Sequence, residues 1–154
     1  MPGNVNLRPR MQSLLAPAVA QGEVIGICAW FLILLIDREG MFGWPVALVS
    51  VGLCGVYAVH RKVTHHLLWR ALGMLYTVLL AAGFAYLVYT RAVLHIFALP
   101  LAVILVLSCP VLFIVVQDFL ACAVLIWLLT WPSIQLGPYA GVDIYVYIFC
   151  GASV

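Results

Sequence analysis

Apolar residues come in long blocks along this chain, separated by short polar breaks. The first block runs from Leu14 to Ile36, is interrupted by Gln21, Gly22 and Glu23, and ends at Asp37-Arg38-Glu39-Gly40. The second runs from Met41 to Val59. The longest polar segment follows it, His60-Arg61-Lys62-Val63-Thr64-His65-His66, with Trp69-Arg70 just beyond. Blocks three and four, Ala71 to Thr90 and Ala92 to Val116, are separated by Arg91 alone. Gln117-Asp118 marks the next break. A fifth block covers Phe119 to Trp131, extendable to Leu136, and Tyr139 to Val154 is apolar except for Asp143.

A helix needs about 20 apolar residues to cross a bilayer, where the backbone must satisfy its own hydrogen bonds. The pattern therefore predicts an all-α fold, a polytopic transmembrane helical bundle of four to six spans. Residues 71–116 read either as two helices with a tight turn near Arg91 or as an interfacial helix leading into one long span. Three regions follow: a polar N-terminal tail at 1–13, a helical membrane domain at 14–136 with a basic loop at 60–70, and an apolar segment at 137–154 that is a candidate further span.

Composition sharpens this reading. Of the 154 residues 67% are hydrophobic and 8% charged, and the mean hydropathy is +1.21. A soluble domain carries about a quarter charged residues, and a small one cannot hide so much apolar surface. Disordered chains are polar and charge-rich, so disorder is excluded too. Seven basic against five acidic residues make no phosphate-binding surface for nucleic acid. The five cysteines lie in apolar runs without a CxxC spacing and read as small hydrophobes.

Five of the seven basic residues sit in the tail (Arg8, Arg10) and the 60–70 loop (Arg61, Lys62, Arg70). Basic loops favour the cytoplasm, which places the N-terminus and this loop there. An even number of spans returns the C-terminus to the same face. Ala18-Val19-Ala20 imitates a signal-peptidase site, but the apolar core before it is short and contains Pro17.

The candidate chemistry is sparse. His60, His65 and His66 cluster in one loop and only His95 lies near a helix, so no facing pair of imidazoles is offered to a haem. The loop histidines read as solvated at headgroup level, with the adjacent His65 and His66 diverging. Glu23 has two readings: a buried acid meeting a polar group on another chain, or a surface residue at the start of a helix. Arg91 either snorkels to an interface or pairs with an acid of a partner helix. Asp118 and Asp143 read as boundary markers. Trp30, Trp44, Trp69, Trp127 and Trp131 read as mostly interfacial. No catalytic constellation, phosphate loop or dinucleotide fingerprint is visible, which points to a subunit rather than an enzyme.

One local pattern goes further. Tyr89-Thr90-Arg91-Ala92-Val93-Leu94-His95 resembles the Tyr-x-Arg-Ala-Val-Leu-His stretch of the small, light-chain subunit of the flavocytochrome b of NADPH oxidases. Other landmarks follow in the family's order. Phe42-Gly43 precedes a glycine-containing span, and His60-Arg61-Lys62 forms a basic loop. Trp69 lies 22 residues before Arg91, and Trp131 lies 40 after it, followed by Pro132 and Ile134. Ala20-Gln21-Gly22-Glu23 is similar to a polar patch in the family's first helix. The likeness covers residues 20–134 and fits a divergent, fungal-type member.

The resemblance implies a non-catalytic integral membrane subunit. It would bind and stabilise the large oxidase subunit, which carries the haem, FAD and NADPH, and this chain would hold no cofactor or metal of its own. It implies the endoplasmic reticulum and plasma membrane as locations, and superoxide as the product of the complex. Arg91 and His95 match the motif and become candidates for a structural or subunit-contact role, with Glu23 as a further polar contact. Trp69, Trp131, Arg61 and Lys62 are candidates for the membrane interface. The chain shows no proline-rich tail, so docking of an SH3-containing organiser is not supported. The runner-up is a multi-span anchor or sensor module of a signalling protein, truncated at residue 154. A small transporter lacks midplane polar residues. An independent cytochrome would need a second histidine facing His95.

Overall fold

The computed structural model of the protein describes residues 7–36, 43–91, 94, 104–105 and 116–135. Among them are four helices and no strand: α1 (Leu7–Ile36), α2 (Trp44–His60), α3 (His66–Thr90) and α4 (Val116–Gln135). The all-α expectation is met. Residues 137–154, Asp143 among them, lie outside the described residues.

Three helix boundaries differ from the hydropathy breaks, and for one reason. A break records where side chains turn polar, not where backbone hydrogen bonding stops. Thus α1 begins at Leu7, inside the expected polar tail, and runs through Gln21-Gly22-Glu23 without interruption. Pro17 sits within it. The reading in which the first helix starts at Glu23 is therefore overturned. Helix α3 begins at His66 rather than Ala71, taking in Trp69 and Arg70. Helix α4 begins at Val116, and Asp118 lies in its first turn, where the helix dipole favours an acid. Helix α2 has Gly43 as its N-cap and Pro45 in its first turn, where a missing N–H costs nothing. Helix α3 stops at Arg91, whose backbone is extended (φ −121°, ψ 105°) and whose N–H still bonds the Leu87 carbonyl at 3.0 Å.

Helix α3 is the hub and packs on each of the other three. Helices α1 and α2 run antiparallel: Glu23 meets His60, and Trp30 meets Ser50. Helices α3 and α4 run parallel. Arg70 and Asp118 join near their starts, and Ala82, Ala85, Tyr86 and Tyr89 share a groove with Leu129 and Pro132 further along. The end of α3 and the start of α4 thus lie at opposite ends of the bundle.

The apolar core is built on Trp30, Leu53, Tyr76, Leu80, Phe84, Leu87 and Ile126. Trp30 is fully buried, 5.6 Å from the Phe84 ring, and its Nε1–H donates to Ser50 Oγ at 2.9 Å. It is thus a core residue and not part of an interfacial belt. Gly83 makes room for this contact. A Cβ there would lie 2.8 Å from both the Trp30 ring and Val49. Buried hydroxyls turn back on their own helices, Thr77 to the Gly73 carbonyl at 2.9 Å and Thr130 to the Ile126 carbonyl at 2.8 Å. These two hydroxyls thus need no water, as an apolar surrounding demands.

The outer faces are apolar as well. Leu32, Leu35 and Ile36 on α1, Leu48 and Val51 on α2, and Val124 and Leu128 on α4 are exposed. Segments Ser13–Ile36 and His66–Thr90 are long and apolar enough to cross a membrane, while α2 and Val116–Pro132 are apolar but shorter.

Candidate functional site

The buried ionisable residues Glu23, His60 and Asp118 gather at one end of the bundle. Glu23 lies mid-way along α1 and His60 is the last residue of α2. Because these helices run antiparallel, the two meet, with His60 Nδ1 and Glu23 Oε1 hydrogen-bonded at 2.5 Å. Both are buried, Glu23 to 1% and His60 to 3% of full exposure. Helix α3 closes over the pair. Tyr76 O–H donates to the Glu23 backbone carbonyl at 2.5 Å, and the Trp69 ring lies 5.0 Å from the His60 ring. Three helices are thereby tied at one point.

A second pair ties α3 to α4. Arg70 Nε and an Nη donate to the two carboxylate oxygens of Asp118, at 2.6 and 2.7 Å. This bidentate geometry fixes angle as well as distance. The Arg70 side chain is 27% exposed and that of Asp118 12%, so this pair is wetter than the first.

A cavity of about 450 Å³ borders the Glu23–His60 pair. Its apolar lining comes from Ala16, Pro17 and Ala20 of α1, with Val63 and Trp69 across from them. Ser13, Arg61 and Thr64 also line it, and all three are exposed. Arg61 is held at the surface by Tyr57, whose hydroxyl accepts from its guanidinium at 3.3 Å and whose ring lies 5.7 Å beneath it. Among the described residues, His60 Nε2 is the one buried side-chain polar atom without a hydrogen-bond partner. No group of three His, Cys, Asp or Glu side chains among these residues forms a metal site.

The structure redistributes the candidates. Glu23 does not wait for another chain; its partner is His60, within the same molecule. His60 is not solvated, because it belongs to α2 and not to the loop. The neighbouring His65 and His66 do not diverge, since their rings stack at 5.3 Å. Asp118 is no mere boundary marker but the partner of Arg70, a residue read only as part of the basic loop. Trp69 is buried beside His60, Trp131 is half-buried, and Arg61 and Lys62 are exposed. Arg91 is half-buried at the end of α3, and its carbonyl accepts from the Leu94 N–H at 2.9 Å. His95 lies outside the described residues. Arg91, at the far end of α3 from Trp69, is not part of the Glu23–His60 site.

Compared with known proteins, the chain matches no family model, no curated protein and no solved structure.

Proposed function

We propose that this chain is a non-catalytic integral membrane subunit that binds and stabilises the large haem- and flavin-carrying subunit of a superoxide-producing NADPH oxidase. One observation carries the assignment of a partner: the Tyr89-Thr90-Arg91-Ala92-Val93-Leu94-His95 run, which resembles the light-chain motif and begins at the last turn of α3. The geometry supports a structural role. The interior acids Glu23 and Asp118 are each engaged by a cation or imidazole of the same chain, and so hold helices in register. The exposed apolar faces of α1, α2 and α4 suit lipid or the helices of a larger membrane protein, since water would penalise them.

The parallel course of α3 and α4 supports a crossing between them. If α3 spans the bilayer, the chain must cross back between Arg91 and Val116 before α4 crosses again. On this reading the polar end, with Glu23, His60, Arg70 and Asp118, lies at the cytoplasmic headgroup level.

Affinity purification of the tagged chain in mild detergent tests the assignment. The reading predicts a co-purifying large flavocytochrome and a reduced b-type haem spectrum that vanishes when that partner is absent. Haem retained by the chain alone would move the assignment to a cytochrome. Recovery of neither haem nor an oxidase partner would return it to an anchor or sensor module.

A further inference from the structure

The cavity beside Glu23 and His60 is not used by the subunit reading, yet it has the parts of a ligand site. We propose that it binds an anionic phosphate group attached to an apolar body, the chemistry of a lipid headgroup with the start of its chains.

The first argument is the unpartnered nitrogen. Leaving a buried polar atom without a hydrogen bond is costly, and such atoms are rare in folded proteins. His60 lines the cavity with Nδ1 engaged by Glu23 and Nε2 unpaired. A donor from Nε2 would find its acceptor in a phosphate oxygen. The ring would then bridge Glu23 and the phosphate.

The second argument is charge. Arg61 is the exposed cation of the cavity lining, and its position is set by Tyr57. A guanidinium matches a phosphate in shape and donor number. The hydroxyls of Ser13 and Thr64 belong to the same lining. Glu23 also borders the cavity, with its Oε1 engaged by His60.

The third argument is position. His60 ends α2, so the part of α1 before Glu23 reaches past the end of that helix. From Ser13 to Glu23 this is about 15 Å at 1.5 Å per residue. The cavity lies along that extension, on the side of Arg61 and Lys62, where a cytoplasmic leaflet presents anionic headgroups. Ala16, Pro17, Ala20, Val63 and Trp69 give it an apolar wall that a free inorganic anion would not need. The volume of about 450 Å³ falls in the range of small-ligand sites.

The test uses the purified full chain in mild detergent with three probes: dioctanoyl phosphatidylglycerol, dioctanoylglycerol and inorganic phosphate. The phosphatidylglycerol is expected to bind at least about tenfold more tightly than the glycerol, which has the same chains and no phosphate. Arg61→Gln and His60→Asn are each expected to weaken it by about tenfold, the size of one charge-assisted hydrogen bond. The Asn amide can still bond Glu23 but offers nothing in place of Nε2. Arg61 is exposed, so Arg61→Gln should leave the unfolding midpoint of the ligand-free protein unchanged and reports on binding even if His60→Asn unfolds. Competition by inorganic phosphate at similar concentration would support the phosphate site and assign it to a soluble phosphate ester; failure to compete would support it and assign it to a lipid. Equal binding of the two dioctanoyl probes, or undiminished binding by Arg61→Gln, would overturn the proposal.

Discussion

The two halves of the bundle are held by different means. At the end bearing the 60–70 loop, helices are joined by charged and hydrogen-bonded pairs, Glu23 with His60 and Arg70 with Asp118. Further along, Trp30 packs on Phe84 over Gly83 and donates a neutral hydrogen bond to Ser50. On the proposed membrane reading, the contrast follows from where polar groups are tolerable. A charge costs most at mid-membrane and less near headgroups and water. Small residues allow close helix approach where no hydrophobic driving force separates protein from lipid. The polar end thus selects which helix faces meet, and the apolar end sets how closely they pack.

The largest effect is expected at the polar end. His60→Leu leaves the Glu23 carboxyl buried without its partner and should destabilise by about 3–5 kcal/mol. The Glu23→Leu/His60→Leu double variant should recover most of that loss, because an apolar pair of similar volume removes the buried charge. Thermal unfolding in detergent reads both, and an additive double variant would mean that the two residues do not act as a pair.

At the apolar end, Gly83→Val places a branched side chain against the Trp30 ring and Val49. It should cost about 1–3 kcal/mol, the usual range for overpacking. Here Trp30 fluorescence should shift along with stability, whereas His60→Leu should leave the environment of Trp30 largely intact. If the two variants shift Trp30 equally, the halves are not separable.

The smallest effect is expected at the wetter pair. Asp118→Asn keeps one acceptor for Arg70 and removes the charge, and should cost about 1 kcal/mol. A loss as large as that of His60→Leu would place this pair on the same footing as the buried one.

Much of the helical layout is legible in the sequence. The helix ends at Ile36 and Thr90 coincide with the block ends, and the extent of α2 is near that of its block. The helix starts are less legible, because the polar residues His66, Trp69-Arg70 and Gln117-Asp118 are compatible with a helix as well as a loop. The polar pairs are invisible locally, since they join positions 37 and 48 residues apart. A physical signal for them was nevertheless present. Glu23 stands inside an apolar block and needs a partner, and His60 is the first polar residue after the next block. Likewise, Asp118 stands beside an apolar block, and Arg70 is a base at the start of an earlier one. Reading Asp118 as a boundary marker leaves its signal unused. The cavity has no sequence signal, because its lining comes from α1, the α2–α3 turn and Trp69 together.

The central claim is a bundle that crosses a membrane with α3 and α4 parallel. It is tested most directly by single cysteines placed at Lys62, Thr90 and Gln117, three exposed positions, and labelled with a membrane-impermeant maleimide in sealed vesicles. The parent chain serves as background, with its own cysteines in apolar runs. Labelling of positions 62 and 117 from one face and of position 90 from the other is the predicted result. Labelling of 90 and 117 from the same face, or of all three from both faces, would contradict it.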